Sequence, residues 1–178
     1  MPVALVTGSF ARVADLGMAL KRVGFSVTEL VAVDRLDEVC VALGPGSVDC
    51  YAQLPWDFES SAPTALERLG DVLVQDLGHR FQAVARVLPL LRPDACVVLA
   101  AGHLHVHAVR LLARMIRDEE VGAGIRAVTV EDGCPADDMA AIVRHRGPDL
   151  ARRIAEFAAL EEGSSFADWR REVLSRWR

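Results

Sequence analysis

His103-Leu104-His105-Val106-His107 is the densest run of chemistry-bearing side chains in the chain. Alternate histidines could chelate a metal ion if the segment is extended, and His103 and His107 share a face if it is helical. Asp76, His79 and Glu131 are candidate further ligands. Against the metal stands the plainer reading of an exposed loop and helix start, because H-x-H without a placed carboxylate is a common false match. Glu131-Asp132 and Asp137-Asp138 are paired acids that could serve acid–base work. Asp137 and Asp138 also suit a helix N-terminus after Pro135, where the helix dipole favours negative charge. Cys96 lies inside an apolar run and is expected to pack, not to react.

Inventory removes other chemistry. Lys21 is the only lysine, Tyr51 the only tyrosine, and no asparagine occurs. A site that needs Tyr and Lys close together on one helix therefore cannot be built. Cys40, Cys50, Cys96 and Cys134 form no C-x-x-C pair, so reduced thiols are expected in place of a disulfide or zinc framework.

These residues need a frame. The 178 residues, 52% hydrophobic and 25% charged, suffice for one globular core. A net charge of −5 disfavours a nucleic-acid partner. No apolar run is long enough to span a bilayer, and Met1-Pro2 opens straight into a strand-like segment. A cytoplasmic protein with no membrane partner is expected.

Short apolar runs alternate with amphipathic stretches. Strands are expected at Val3–Val6, Phe25–Val33, Val48–Leu54, Ala95–Ala101 and Ile125–Val130. Helices are expected from Val13 to Val23, Leu36 to Leu43, Pro63 to Leu91, Val106 to Glu120 and Asp137 to His145. Gly24, Gly44-Pro45-Gly46 and Gly122-Ala123-Gly124 punctuate them, and Leu91-Arg92-Pro93-Asp94 is read as a turn. Strands and helices alternating at these lengths predict an α/β fold, a three-layer doubly wound parallel sheet with right-handed crossovers. Residues 1–146 would form that domain and 147–178 a helical C-terminal extension.

Four segments, in order, resemble the short-chain dehydrogenase/reductase family. Val3-Ala4-Leu5-Val6-Thr7-Gly8 resembles its first strand and the opening of its glycine-rich turn. Val74-Gln75-Asp76-Leu77-Gly78 through Leu88-Pro89 resembles its long sheet-crossing helix. Ala95 to Ala101 resembles the strand that carries the catalytic serine, and Gly124-Ile125-Arg126-Ala127-Val128 the strand after the catalytic helix. The resemblance covers approximately Val3 to Val143, with gaps, and implies a truncated Rossmann-like domain.

It does not carry the family's chemistry with it. The turn T-G-x-x-x-G-x-G bares a backbone to the cofactor pyrophosphate. Here it reads Thr7-Gly8-Ser9-Phe10-Ala11-Arg12-Val13-Ala14, so Gly8 alone is kept. NAD(P) is disfavoured as a cofactor, although the Arg12 guanidinium could itself meet a phosphate and Asp34 follows the strand that reads the ribose. The family's Asn, Ser, Tyr and Lys fall on Gln75, Ala101, Gly102 and Val106. The last three cannot move a proton.

Surfaces remain. The resemblance implies pairing through the long helix and the next one, which makes Leu77, Phe81, Val84, Leu88, Leu112 and Met115 candidate interface residues. Phe166, Trp169, Val173 and Trp177 form an aromatic stripe near the end of the chain, with Trp169 and Trp177 as anchors either in cis or on a partner. The expected function is that of a non-catalytic pseudoenzyme, a homodimer or the silent partner of a catalytic paralogue. A small-ligand or nucleotide sensor is the alternative, as is a divergent enzyme using the histidine segment with a metal or an acid.

Overall fold

The computed structural model describes residues 1–119 and 124–144. The expected extension, with Trp169 and Trp177, lies outside the described residues. Ten elements alternate: β1 (Val3–Thr7), α1 (Phe10–Arg22), β2 (Ser26–Leu30), α2 (Leu36–Leu43), β3 (Val48–Gln53), α3 (Ala65–Val87), β4 (Leu91–Ala101), α4 (Val106–Glu119), β5 (Arg126–Glu131) and α5 (Ala136–Arg144). The five strands are all parallel in the order β2-β1-β3-β4-β5. The chain therefore winds outward in both directions from β1, and the crossovers lay helices on both faces.

Alternation along the strands builds two cores. Leu5, Tyr51, Val97 and Leu99 point to the face covered by α2, α3 and α4, where they meet Leu36, Val84, Val109 and Leu112. Ala4, Val6, Ala52 and Val98 point to the other face, against Leu16 and Leu20 of α1 and Met139 and Val143 of α5. Strands buried on both sides read as unbroken apolar runs, which is why they were legible.

Element ends follow local chemistry. Thr64 caps α3 reciprocally with Glu67, two orphan donors being satisfied at once. The helix stops at Val87 because Pro89 cannot supply an amide, and Leu88–Leu90 tighten into a 3-10 turn. β2 ends at Leu30, three residues earlier than expected, and Val33–Arg35 form a second such turn. The expected turn at Leu91-Arg92-Pro93-Asp94 is instead the start of β4. Leu91 pairs with Val48, the register slips, and pairing resumes at Cys50 and Cys96. Asp94 takes a φ of 64° in this irregularity, a left-handed conformation that Asp tolerates.

Candidate functional site

β2 and β3 leave β1 on opposite sides, so the carboxyl ends of β1 and β3 flank the crevice where parallel α/β sheets place ligands. Gly8 sits there at φ 139°, pressed by the segment after β3. A Cβ on Gly8 would lie 2.6 Å from Leu54 Cβ and 2.9 Å from the Leu54 carbonyl oxygen. Its amide donates to the Leu30 carbonyl at 3.2 Å, and the Ser9 amide donates to the Pro55 carbonyl at 3.0 Å. Two amides of the glycine turn are thus spent within the protein.

Arg12 is spent as well. Its guanidinium forms an ion pair with the Asp132 carboxylate and donates to the Asp132 carbonyl, tying α1 to the end of β5. Burial pushes it below its ordinary value. Asp34 is exposed, beyond the end of β2. Of the three expected cofactor contacts, Gly8 is packed against Leu54, Arg12 is paired with Asp132 and Asp34 is exposed.

A second cluster lies at the ends of β3 and β4, and its centre is a buried ion pair. Arg80 is fully buried, and its Nε donates to Asp76 Oδ2 at 2.7 Å. Its Nη1 donates to the Ala100 carbonyl at 2.7 Å, which anchors α3 to β4. The same Asp76 oxygen lies 3.0 Å from His105 Nδ1, on the turn entering α4. A carboxylate only accepts, so that ring nitrogen carries the proton in this contact. From β3, Gln53 Nε2 donates to the Arg80 carbonyl at 3.2 Å and to Tyr51 Oη at 2.9 Å, and Tyr51 Oη meets Thr7 Oγ1 at 3.1 Å. One polar line thus runs under the sheet's carboxyl edge from Thr7 to His105.

Sequence reasoning placed Asp76 near the histidine run, and the structure brings it to His105. It brings no third ligand. His103 and His107 are exposed, because the chain turns at Gly102–His105 and rotates alternate side chains away. Among the described residues no three His, Cys, Asp or Glu side chains gather to hold a metal ion. Gln75, aligned above with the family's Asn, is exposed, and its neighbour Asp76 faces inward. Arg80 went unnoticed. Its signal was a charged i,i+4 pair lying in phase with the apolar face of α3.

Burial raises the thiols of Cys40 and Cys134 and raises Cys50 well above its ordinary value. Cys96 is buried in the core, as expected from its apolar run.

Two candidate interface residues are core residues. Val84 and Leu112 are 3% and 4% exposed, because each shares the inward face of its helix with Arg80 or Val109. Leu77, Phe81 and Leu88 are half-buried, and Met115 is exposed. The exposed large apolar residues of these helices are Leu66, Leu69 and Val74 on α3 and Leu111 and Met115 on α4.

Solved structures share this architecture at low identity. Protein lin1944 from Listeria innocua superposes with a TM-score of 0.57 at 17% identity, over 79% of this chain and 91% of that one. A short-chain dehydrogenase/reductase from Serratia marcescens gives 0.52 at 13%, over 84% and 90%. A short chain dehydrogenase family protein from Francisella tularensis gives 0.53 at 17%, over 94% and 79%. The chain has the short-chain dehydrogenase/reductase fold. No family profile and no curated protein matches the sequence. Among the described residues no helix is long and apolar enough to cross a membrane.

Proposed function

We propose that this chain is a cytoplasmic pseudoenzyme of the short-chain dehydrogenase/reductase type, without hydride-transfer activity, that works by association with a second copy or with a catalytic paralogue. The observation that carries this reading is the apolar outer surface of α3 and α4. Leu66 is 80% exposed, Val74 73% and Leu111 55%, on helices whose opposite faces are already packed. Large exposed apolar side chains mark interaction surfaces where they form one patch. Two further points support it: the positions that the resemblance matches to Ser, Tyr and Lys hold Ala101, Gly102 and Val106, which move no proton, and the amides of the glycine turn are bonded to Leu30 and Pro55.

Sedimentation velocity of the full chain tests this. A mass of twice 19.3 kDa is expected at micromolar concentration. Val74→Glu combined with Met115→Glu should give a folded monomer. A strict monomer in the wild type that also fails to join a co-expressed full-length reductase overturns the proposal.

A further inference from the structure

Residues 54–64 join β3 to α3 without forming a helix or a strand. Both ends of this connection are pinned. The Leu54 amide donates to the Thr7 carbonyl at 2.8 Å, and the Pro55 carbonyl accepts from the Ser9 amide at 3.0 Å. At the far end Arg68 Nη1 donates to the carbonyls of Ala62 and Pro63 at 2.9 and 3.1 Å. Between these anchors, among the described residues, no backbone–backbone hydrogen bond reaches residues 56–61.

Side chains hold this middle down. Exposure alternates along it, with Trp56, Phe58 and Ser60 turned in and Asp57, Glu59 and Ser61 out, the pattern of an extended chain lying on a surface. Trp56 is 7% exposed and belongs to the core on the α3 side of the sheet. Phe58 stacks on His79 of α3, with ring centroids 5.0 Å apart and planes 18° from parallel. Ser60 Oγ donates to Asp71 Oδ2 at 2.6 Å, but that bond is exposed.

Closure also strands polar atoms. Trp56 Nε1 and His79 Nδ1 are both buried, with no hydrogen-bond partner among the described residues. An unpaired buried polar atom carries the full penalty of its lost hydration, which lifting residues 56–61 would relieve. The rings therefore act in two senses: their carbon surfaces favour the closed arrangement and their nitrogens the open one. A segment held by such opposed terms, without a backbone ladder, opens at a lower free energy than the sheet it leaves.

We propose that residues 56–61 are a strap that opens and closes as a unit, hinged at Pro55 and at Ala62-Pro63, with Trp56 and Phe58 as its latch. This goes beyond the association proposed above and does not rest on it. Opening admits water to His79 and, one turn back along α3, to Asp76, whose Oδ1 is likewise without a partner among the described residues. The strap thereby controls the access of solvent to the Asp76–Arg80 pair.

Digestion of the full chain with a glutamate-specific endoproteinase reads the open state. Glu59 lies in the middle of the strap, and the rate of cutting at a site tracks the population of its open form. Glu29, paired within β2, reports global opening in the same digest. Mass spectrometry of the early fragments should show cutting after Glu59 roughly tenfold faster than after Glu29. His79→Phe keeps a stacked ring and removes the orphaned nitrogen, so it should slow cutting after Glu59 about fivefold and leave Glu29 unchanged. Phe58→Ala removes half of the latch and should speed cutting after Glu59 about tenfold. With Trp169→Phe and Trp177→Phe in place, Trp56 is the remaining tryptophan, and its emission should shift to the red when Phe58→Ala is added. Should Phe58→Ala unfold by circular dichroism, the slowing by His79→Phe carries the test alone. Equal cutting after Glu59 and Glu29 in the wild type, or no slowing by His79→Phe, overturns the proposal.

Discussion

Arg80 and Asp76 form an ion pair that water does not reach, with side chains 0% and 4% exposed and Nε 2.7 Å from Oδ2. Both residues occupy inward positions of α3, one turn apart, where an apolar pair would pack. The arginine also ties the helix to β4 through the Ala100 carbonyl, and the aspartate ties it to His105. The pair therefore specifies how α3, β4 and the start of α4 meet, at the expense of desolvating two charges.

Removing one partner should cost far more than removing both. Arg80→Met leaves a buried carboxylate uncompensated and should destabilise the fold by about 3–5 kcal/mol. Arg80→Met combined with Asp76→Leu exchanges the charges for apolar volume, and replacements of this kind are often neutral. The double variant should then unfold at higher urea concentration than either single variant. Chemical denaturation of the three proteins measures this, and additive losses would show that the pair has no net coupling.

Stability should fall at alkaline pH through Tyr51, alongside the buried Cys50 thiol. Burial pushes the Tyr51 phenol up to about 12 from an ordinary 10.0, partly opposed by its hydrogen bonds with Thr7 and Gln53. Folding therefore favours the protonated phenol. The contribution is fully present below pH 10, where both states hold the proton, and is lost as pH rises through 12. Two pH units at 1.36 kcal/mol each amount to about 3 kcal/mol. Tyr51 is the only tyrosine, so tyrosinate absorbance reports this group alone. Its transition should coincide with unfolding, and Tyr51→Phe should flatten the alkaline limb while lowering stability at neutral pH.

How much of this was legible depended on whether a residue's role is set by its neighbours in sequence or in space. Leu36–Leu43 came out to the residue, because Gly44-Pro45-Gly46 leaves a helix nowhere to continue. The parallel sheet followed from apolar runs that need no partner to be recognised. Val84 and Leu112 were misjudged because periodicity marks an apolar face without saying whether sheet or solvent lies opposite it. The glycine turn was judged by its missing glycines, yet its decisive feature is Pro55 and Leu54 arriving from another strand. That contact spans more than forty residues and leaves no local trace.

Glycine at position 8 should be indispensable, and glycine at 24 should not. Both have positive φ, 139° and 97°. Gly24 has nothing within 4 Å of a built Cβ, so Gly24→Ala carries the conformational cost alone, about 1–2 kcal/mol. Gly8→Ala adds a collision with Leu54, whose backbone cannot move without disturbing the bond from Ser9 to Pro55. Overpacking of that kind adds about 1–3 kcal/mol. Thermal unfolding of the two variants compares them directly, and equal losses would show that Leu54 yields freely.

Restoring the missing glycines should not restore dinucleotide binding. Arg12→Gly combined with Ala14→Gly returns the spacing of the family's turn and releases Asp132. It leaves the Gly8 amide on the Leu30 carbonyl and the Ser9 amide on the Pro55 carbonyl. A pyrophosphate draws its affinity from amides that point at it unpaired. Here it would have to displace two backbone acceptors, each then left without its donor in a buried turn, at about 1–3 kcal/mol apiece. Calorimetric titration of the double variant with NADH and NADPH should therefore give no heat of binding at micromolar protein. Binding by the double variant but not by the wild type would show that the two side chains, and not the bonded amides, exclude the cofactor.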